Sequence, residues 1–293
     1  MEFLTAFGEL ILQGLVLGML LFLVSVGLTL VFGILGVVNF AHGTLYMVGA
    51  YMGYTVAVKS GNFGLALILA PLGVALLGGI IECLALRPLY GKNPLFQILL
   101  TFGISLILSE LIRVLWGGLA KLPQIPLLLE GSVKILGSPY PIYRLFIVGC
   151  GFLLAFLLWQ IMEKTRFGMI IRAGSHDREM VGFLGINIKL VFTSVFALGA
   201  ALAALGGVVA APMVSANLEM GINMVVGAFI VVVVGGLGSF KGSFLGSIII
   251  GEIQSFGVVL LPDFSLALVF ILMAFVLIIR PQGLFGRLES RAR

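Results

Sequence analysis

Between Leu10 and Val58 the chain runs for 49 residues without an Asp, Glu, Lys or Arg. A membrane-crossing helix needs about 20 predominantly apolar residues, so this one stretch holds two crossings. The rest of the chain follows suit. Only 10% of its residues are charged and 61% are hydrophobic, with a mean hydropathy of +1.24, where a soluble domain carries about 25% charged residues. Too little polar surface is left to cover a water-soluble globule. The expectation is therefore an all-α fold, a polytopic transmembrane helical bundle of about eight to ten spans forming one domain over the 293 residues. The 40 glycines suit it, since small residues let membrane helices approach closely.

The first two spans join near Gly33–Gly36 or near Asn39–His42. A third covers roughly residues 63–86 and stops at Arg87-Pro88, followed by a short basic loop; a fourth covers 95–116. Residues 117–141 contain Pro123, Pro126, Pro139 and Pro141 with scattered charges and read as an extended loop. A fifth span covers 142–161 and a sixth 190–211, closed by Pro212. Residues 224–261 are interrupted by GGLGSFKGS and form two spans, or one span and a re-entrant piece. The last covers 264–279 and ends at Arg280-Pro281. No strong short-period repeat is visible.

Lys and Arg concentrate on the cytoplasmic side of membrane proteins. With residues 163–189 placed inside, twelve basic residues fall inside (Arg287, Arg291 and Arg293 among them) and five outside, for nine crossings and an outside N-terminus carrying Glu2 and Glu9. The net charge of +5 reflects this orientation and not a nucleic-acid partner. Cys83 and Cys150 lie in apolar runs without metal-ligand spacing, and the N-terminus lacks the features of a cleavable signal peptide. No metal, cofactor or catalytic set is expected.

Residues 163–189 hold eight of the 29 charged residues. Ser175 is placed to cap a short helix, with Asp177 and Glu179 in its first turn. Met180, Val181, Leu184 and Ile188 follow at helical spacing, and Gly185 can end the helix in the left-handed conformation. Gly168 and Gly174 hold this helix of about nine residues between long membrane helices. Its apolar face is expected to dock a partner. The candidate docking residues are Ser175, Asp177, Arg178, Glu179, Met180, Val181, Gly182, Leu184 and Gly185.

The run GMIIRAGSHDREMVGFLGIN (168–187) resembles the coupling segment of ABC-importer permeases of the branched-chain amino acid (LivH/LivM) family. GLTLVFGILGVVNFAHGTLYMVGAYMG (27–53), VGGLGSFKGSFLG (234–246) and RPQGLFG (280–286) agree with it in order, and the N-terminal stretch is similar to the LivH-type subunit. The resemblance implies a helical permease of a bacterial inner membrane, surrounded by lipid, doing no bond chemistry and forming half of a pore for leucine, isoleucine and valine. It implies a second, LivM-like permease, two cytoplasmic ATPase subunits and an extracytoplasmic substrate-binding protein.

Pathway candidates are Asn39, His42, Gly43, Gly235, Gly236 and Glu252. Polar groups in apolar spans mark pathways more often than surfaces. A break at Asn39–Gly43 would expose free N–H groups suited to a carboxylate; the same residues also suit a helix-joining motif with His42 bonded to backbone. The glycine run 235–246 does not match a phosphate-binding loop, because Lys241 precedes Gly242 instead of following a glycine. It reads as a tight turn with close helix packing. Glu252, beside Gln254, is an internally bonded acid or the proton site of a secondary transporter. Glu110 can pair with Arg113. Permeases for urea or short amides are the alternative within the same type.

Overall fold

The computed structural model describes residues 2–135 and 137–286, and the backbone alone for residues 2–4, 176 and 178; Arg287, Arg291, Arg293 and the Glu2 side chain lie outside the described residues. In chain order the helices are α1 (Glu2–Leu35), α2 (Ala41–Ser60), α3 (Phe63–Ile81), α4 (Pro94–Trp116), α5 (Ile142–Lys164), α6 (Arg166–His176), α7 (Arg178–Phe183), α8 (Ile188–Val214), α9 (Met220–Gly235), α10 (Phe240–Leu260) and α11 (Ser265–Ile279). A π turn, Glu82–Leu86, prolongs α3. Seven helices are long and apolar enough to cross a membrane among the described residues, and α9 is a shorter apolar helix. The 20-residue α2 is the ninth helix at a position expected of a span.

Two expectations shift and one alternative is resolved. The loop after α4 contains a two-stranded antiparallel hairpin, β1 (Ser132–Ile135) with β2 (Ser138–Pro141). The sixth span runs past Pro212 to Val214. The interrupted region 224–261 is two helices, α9 and α10, meeting at Gly236 and Gly238, both with positive φ.

The bundle is organised around α1 and α8, whose buried faces form most of the core. They run antiparallel: Gly27 and Gly199 touch through backbone, and Leu23 and Val24 reach Gly206. Each is followed by an extended break and a helix that starts in the interior. After α1 comes Asn39-Phe-Ala-His-Gly43; after α8 comes Asn217-Leu-Glu-Met-Gly221. In both, the Asn side-chain oxygen accepts from the backbone N–H two residues on, Ala41 at 3.1 Å and Glu219 at 3.0 Å. Gly43 and Gly221 then meet, and a Cβ on Gly43 would overlap the Gly221 carbonyl. A third helix follows each break, capped alike: Asn62 accepts from Leu65 N at 3.2 Å and Ser239 from Gly242 N at 3.1 Å. Finally, α10 lies along α1 as α3 lies along α8. The chain thus contains two inverted copies of one three-helix unit, the arrangement that puts broken helices at a bilayer midplane.

Broken backbone inside a bilayer must find internal partners, and both breaks do. Thr101 of α4 accepts from Phe40 N at 3.3 Å and lies 3.4 Å from the Val38 carbonyl. Lys121 and Ala216 exchange backbone hydrogen bonds of 2.8 and 2.7 Å.

Candidate functional site

The segment between α5 and α8 is set by three side-chain caps, each satisfying N–H groups that a helix start leaves free. Thr165 Oγ1 accepts from Gly168 N at 3.2 Å. Gly168 sits where a Cβ would overlap the carbonyls of Ile161 and Met162, so α6 turns back tightly under the end of α5. Ile171 on α6 is buried, and Arg172 reaches Glu163 at 3.7 Å. The second cap starts α7, and it corrects the expectation: it is Asp177, not Ser175. Asp177 Oδ1 accepts from Met180 N at 2.9 Å, while the Ser175 hydroxyl donates back to the Arg172 carbonyl at 2.8 Å from within the last turn of α6. A second helix ahead of α7 uses up Ser175, so the docking helix has six residues, not nine. Asn187 makes the third cap, accepting from Leu190 N at 3.3 Å. Gly185 ends this turn at φ +80°, as expected; Gly182 and Gly174 have open space around them.

The apolar face of α7 also differs from expectation. Val181 is 3% exposed, so it holds α7 to the protein and is not available to a partner. The exposed apolar residues are Met180 (56%), Leu184 (73%) and Phe183 (83%). Phe183, three residues after Met180, joins this face because Val181 turns inward. Glu179 and Asp177 are exposed beside them.

Near the start of α8, a buried polar cluster ties that helix to the π turn after α3. Glu82, fully buried in the π turn after α3, receives Arg87 Nη2 at 2.9 Å and Nε at 3.3 Å, and the Tyr90 hydroxyl at 3.0 Å. The Thr193 hydroxyl of α8 lies 2.7 Å from the same carboxylate and 2.9 Å from the Lys189 carbonyl, with one proton to share. Glu82 falls near the end of the third expected span, and its ties to Thr193 cross 111 residues of chain. Glu110 pairs with Arg113 at 3.4 Å on an exposed face, as its spacing predicts.

The pathway candidates fall in three separate places. Asn39 (1% exposed), His42 (0%) and Gly43 lie at the crossing of the two broken helices. His42 Nε2 bonds the Val24 carbonyl at 3.0 Å, whereas Asn39 Nδ2 and His42 Nδ1 have no partner among the described residues. Gly235 and Gly236 lie at the α9–α10 turn. Gly235 packs backbone to backbone on Gly242, and Gly236 on Gly283. The tail 280–286 completes this joint: Leu284 N donates to the Val234 carbonyl at 2.8 Å and Phe285 N to the Gly235 carbonyl at 2.9 Å. Gly238 in turn lies against Gly33 of α1, and Thr29 bonds Ser243. Glu252 is on the α1–α10 seam against Gly14, and its Oε2 has no partner among the described residues.

A polytopic helical bundle with inverted broken helices and a capped, water-facing segment between two spans defines a membrane permease. The chain matches the family described as branched-chain amino acid transport system / permease component over residues 10–277, and it belongs to that family of ABC-importer permease subunits. It is 32% identical over 94% of its length to the high-affinity branched-chain amino acid transport system permease protein BraD of Pseudomonas aeruginosa, covering 95% of that protein. It is 28% identical to LivH of Escherichia coli strain K12, covering 94% of each chain. The ribose import permease protein RbsC of Haemophilus influenzae is 27% identical over 80% of this chain and 72% of its own. No solved structure gives a significant match. The chain is therefore a multi-pass transport subunit and not an enzyme.

Proposed function

We propose that this chain forms half of an inner-membrane import pathway for leucine, isoleucine and valine. It would pair with a second, LivM-like permease, take substrate from an extracytoplasmic binding protein and be driven by two ATPase subunits. The substrate reading rests on the BraD and LivH relatives; the ribose permease among the relatives shows why it needs its own test. One observation carries the coupling reading. In the segment that the Lys/Arg distribution assigns to the cytoplasm, a six-residue helix and the residue that caps its end expose Met180, Phe183 and Leu184 while Val181 pins the helix from behind. Exposed apolar clusters rimmed by charge mark interaction sites, and aromatic anchors carry much of the energy of such contacts. Motion of the ATPase pair would reach α5 through α6 and α8 through the short turn after α7, and the Glu82–Thr193 cluster would pass it from α8 to the end of α3. Asn39–Gly43, Gly235–Gly236 and Glu252 would then act where broken and close-packed helices pivot beside the path.

The test is radiolabelled leucine uptake by the complete transporter in proteoliposomes. Phe183→Asp is expected to reduce ATP-driven uptake at least about tenfold, the effect of losing one interface anchor worth about 1.4 kcal/mol. It should also weaken retention of the ATPase subunits on purification. Normal uptake and normal ATPase retention in that variant would remove the coupling assignment; ATP-driven uptake of another solute but not of leucine, isoleucine or valine would remove the substrate assignment alone.

A further inference from the structure

At the end of the bundle away from α6, the end that the Lys/Arg distribution assigns to the outside, a cavity of about 530 Å³ opens between the first turns of α1, the β1–β2 hairpin, the start of α5 and the end of α10. Its volume falls in the range of small-molecule sites, roughly 300–1,000 Å³. Five polar side chains from three elements share it: Glu9 and Gln13 of α1, Ser138 and Tyr140 of β2 and Arg144 of α5. Leu10 and Val259 supply apolar wall. Glu9 and Gln13 are four residues apart on a helix and so share one face.

The charges in this cavity are not matched to each other. The ion pairs among the described residues are Arg87–Glu82, Arg113–Glu110 and Arg172–Glu163, so neither Glu9 nor Arg144 is paired among them. Arg144 has five N–H donors available. One of them donates to Gln13 Oε1 at 2.6 Å, and the guanidinium lies 5.8 Å over the Tyr140 ring. The Gln13 bond and the Tyr140 ring orient the guanidinium and leave donors to spare. Tyr140 is only 5% exposed, and its hydroxyl faces the Arg144 guanidinium without making a hydrogen bond of ordinary length among the described residues. A buried hydroxyl left without a partner is costly, and a ligand oxygen would satisfy it.

We propose that this cavity binds a small zwitterionic group, with its ammonium on Glu9 and its carboxylate or phosphate on Arg144, helped by the Tyr140 hydroxyl. Two sources carry that chemistry: a free α-amino acid received at the outer mouth, or the headgroup of phosphatidylethanolamine. The amino-acid source rests on the import reading above; the lipid source does not.

The experiment uses the complete transporter in nanodiscs, wild type and with Glu9→Gln, Arg144→Gln or Tyr140→Phe. Radiolabelled leucine binding is measured without the binding protein in phosphatidylglycerol discs. Retained lipid is measured by native mass spectrometry after exchange into discs containing phosphatidylethanolamine and phosphatidylglycerol. Either leucine binding or preferential retention of phosphatidylethanolamine is expected in the wild type, reduced at least about tenfold in Glu9→Gln and in Arg144→Gln. Tyr140→Phe keeps both charges and the ring, so it guards against a folding defect and should show the same loss at smaller size. No leucine binding together with equal retention of both lipids, or binding that all three variants keep, overturns the proposal. Uptake of leucine driven by ATP, followed in the same preparations, reports on the import reading separately.

Discussion

At the scale of single residues, glycine does two different jobs here. Gly43 faces Gly221 so closely that any Cβ would overlap backbone, which cannot move aside as a flexible side chain can. Gly43→Ala should therefore destabilise the folded permease by about 1–3 kcal/mol, the usual cost of overpacking, read as a lowered unfolding midpoint in detergent. Gly185 has nothing within 4 Å of its would-be Cβ, but its φ of +80° disfavours any L side chain. Gly185→Ala should cost about 1 kcal/mol, and Gly185→Asn less, because Asn tolerates the left-handed region. Glu82 is the other residue with a clear expectation. Removing it leaves Arg87, which is 30% exposed, without its carboxylate partner and the Thr193 hydroxyl with the Lys189 carbonyl alone as acceptor. Glu82→Ala should lower stability by about 3 kcal/mol, with Glu82→Gln, which keeps an acceptor oxygen, intermediate in the same unfolding assay.

Among elements, α7 owes its start to one side chain. Asp177→Ala should weaken the helix by about 1 kcal/mol, seen as faster amide hydrogen exchange at Met180 and Val181. Ser175→Ala should leave that exchange unchanged, since its hydroxyl serves the end of α6. Long apolar spans were legible in sequence because length and hydropathy alone define them, and Gly185 was legible because a helix end demands a left-handed residue. Ser175 was misplaced because Ser and Asp two positions apart are equally good caps until the helix in front is known. Val181 could not be assigned a face from spacing, since a six-residue helix shows less than two full turns of pattern. Glu82 escaped for another reason: its partner Thr193 lies on a different helix, and no local pattern reports a contact of that range.

Across the whole molecule, the two inverted units were invisible to a search for short periods. Their shared signal is sparse: an Asn and a Gly at each break, and a capping residue before each third helix. The side chains between them differ because one break meets α4 and the other the loop after it. The three glycine-rich stretches that carry the family resemblance turn out to be one joint, where Gly33, Gly238, Gly236 and Gly283 meet in sequence-distant contact. Sequence order showed the stretches, and only the fold shows that they pack together. The pathway candidates were chosen for residue type, and the fold separates them into three places because polarity inside a bilayer marks helix breaks as well as cavities. The two units interlock, α1 lying on α10 and α8 on α2 and α3, with Gly43 and Gly221 in contact at the crossing, and the import reading requires ATP from partner subunits. The decisive measurement is leucine uptake into proteoliposomes holding this chain, its permease partner, the two ATPases and the binding protein, compared with and without ATP and with an imposed proton gradient. The account predicts uptake that requires ATP and the ATPase subunits and ignores the gradient. Uptake driven by the proton gradient alone, with the ATPase subunits left out, would contradict it.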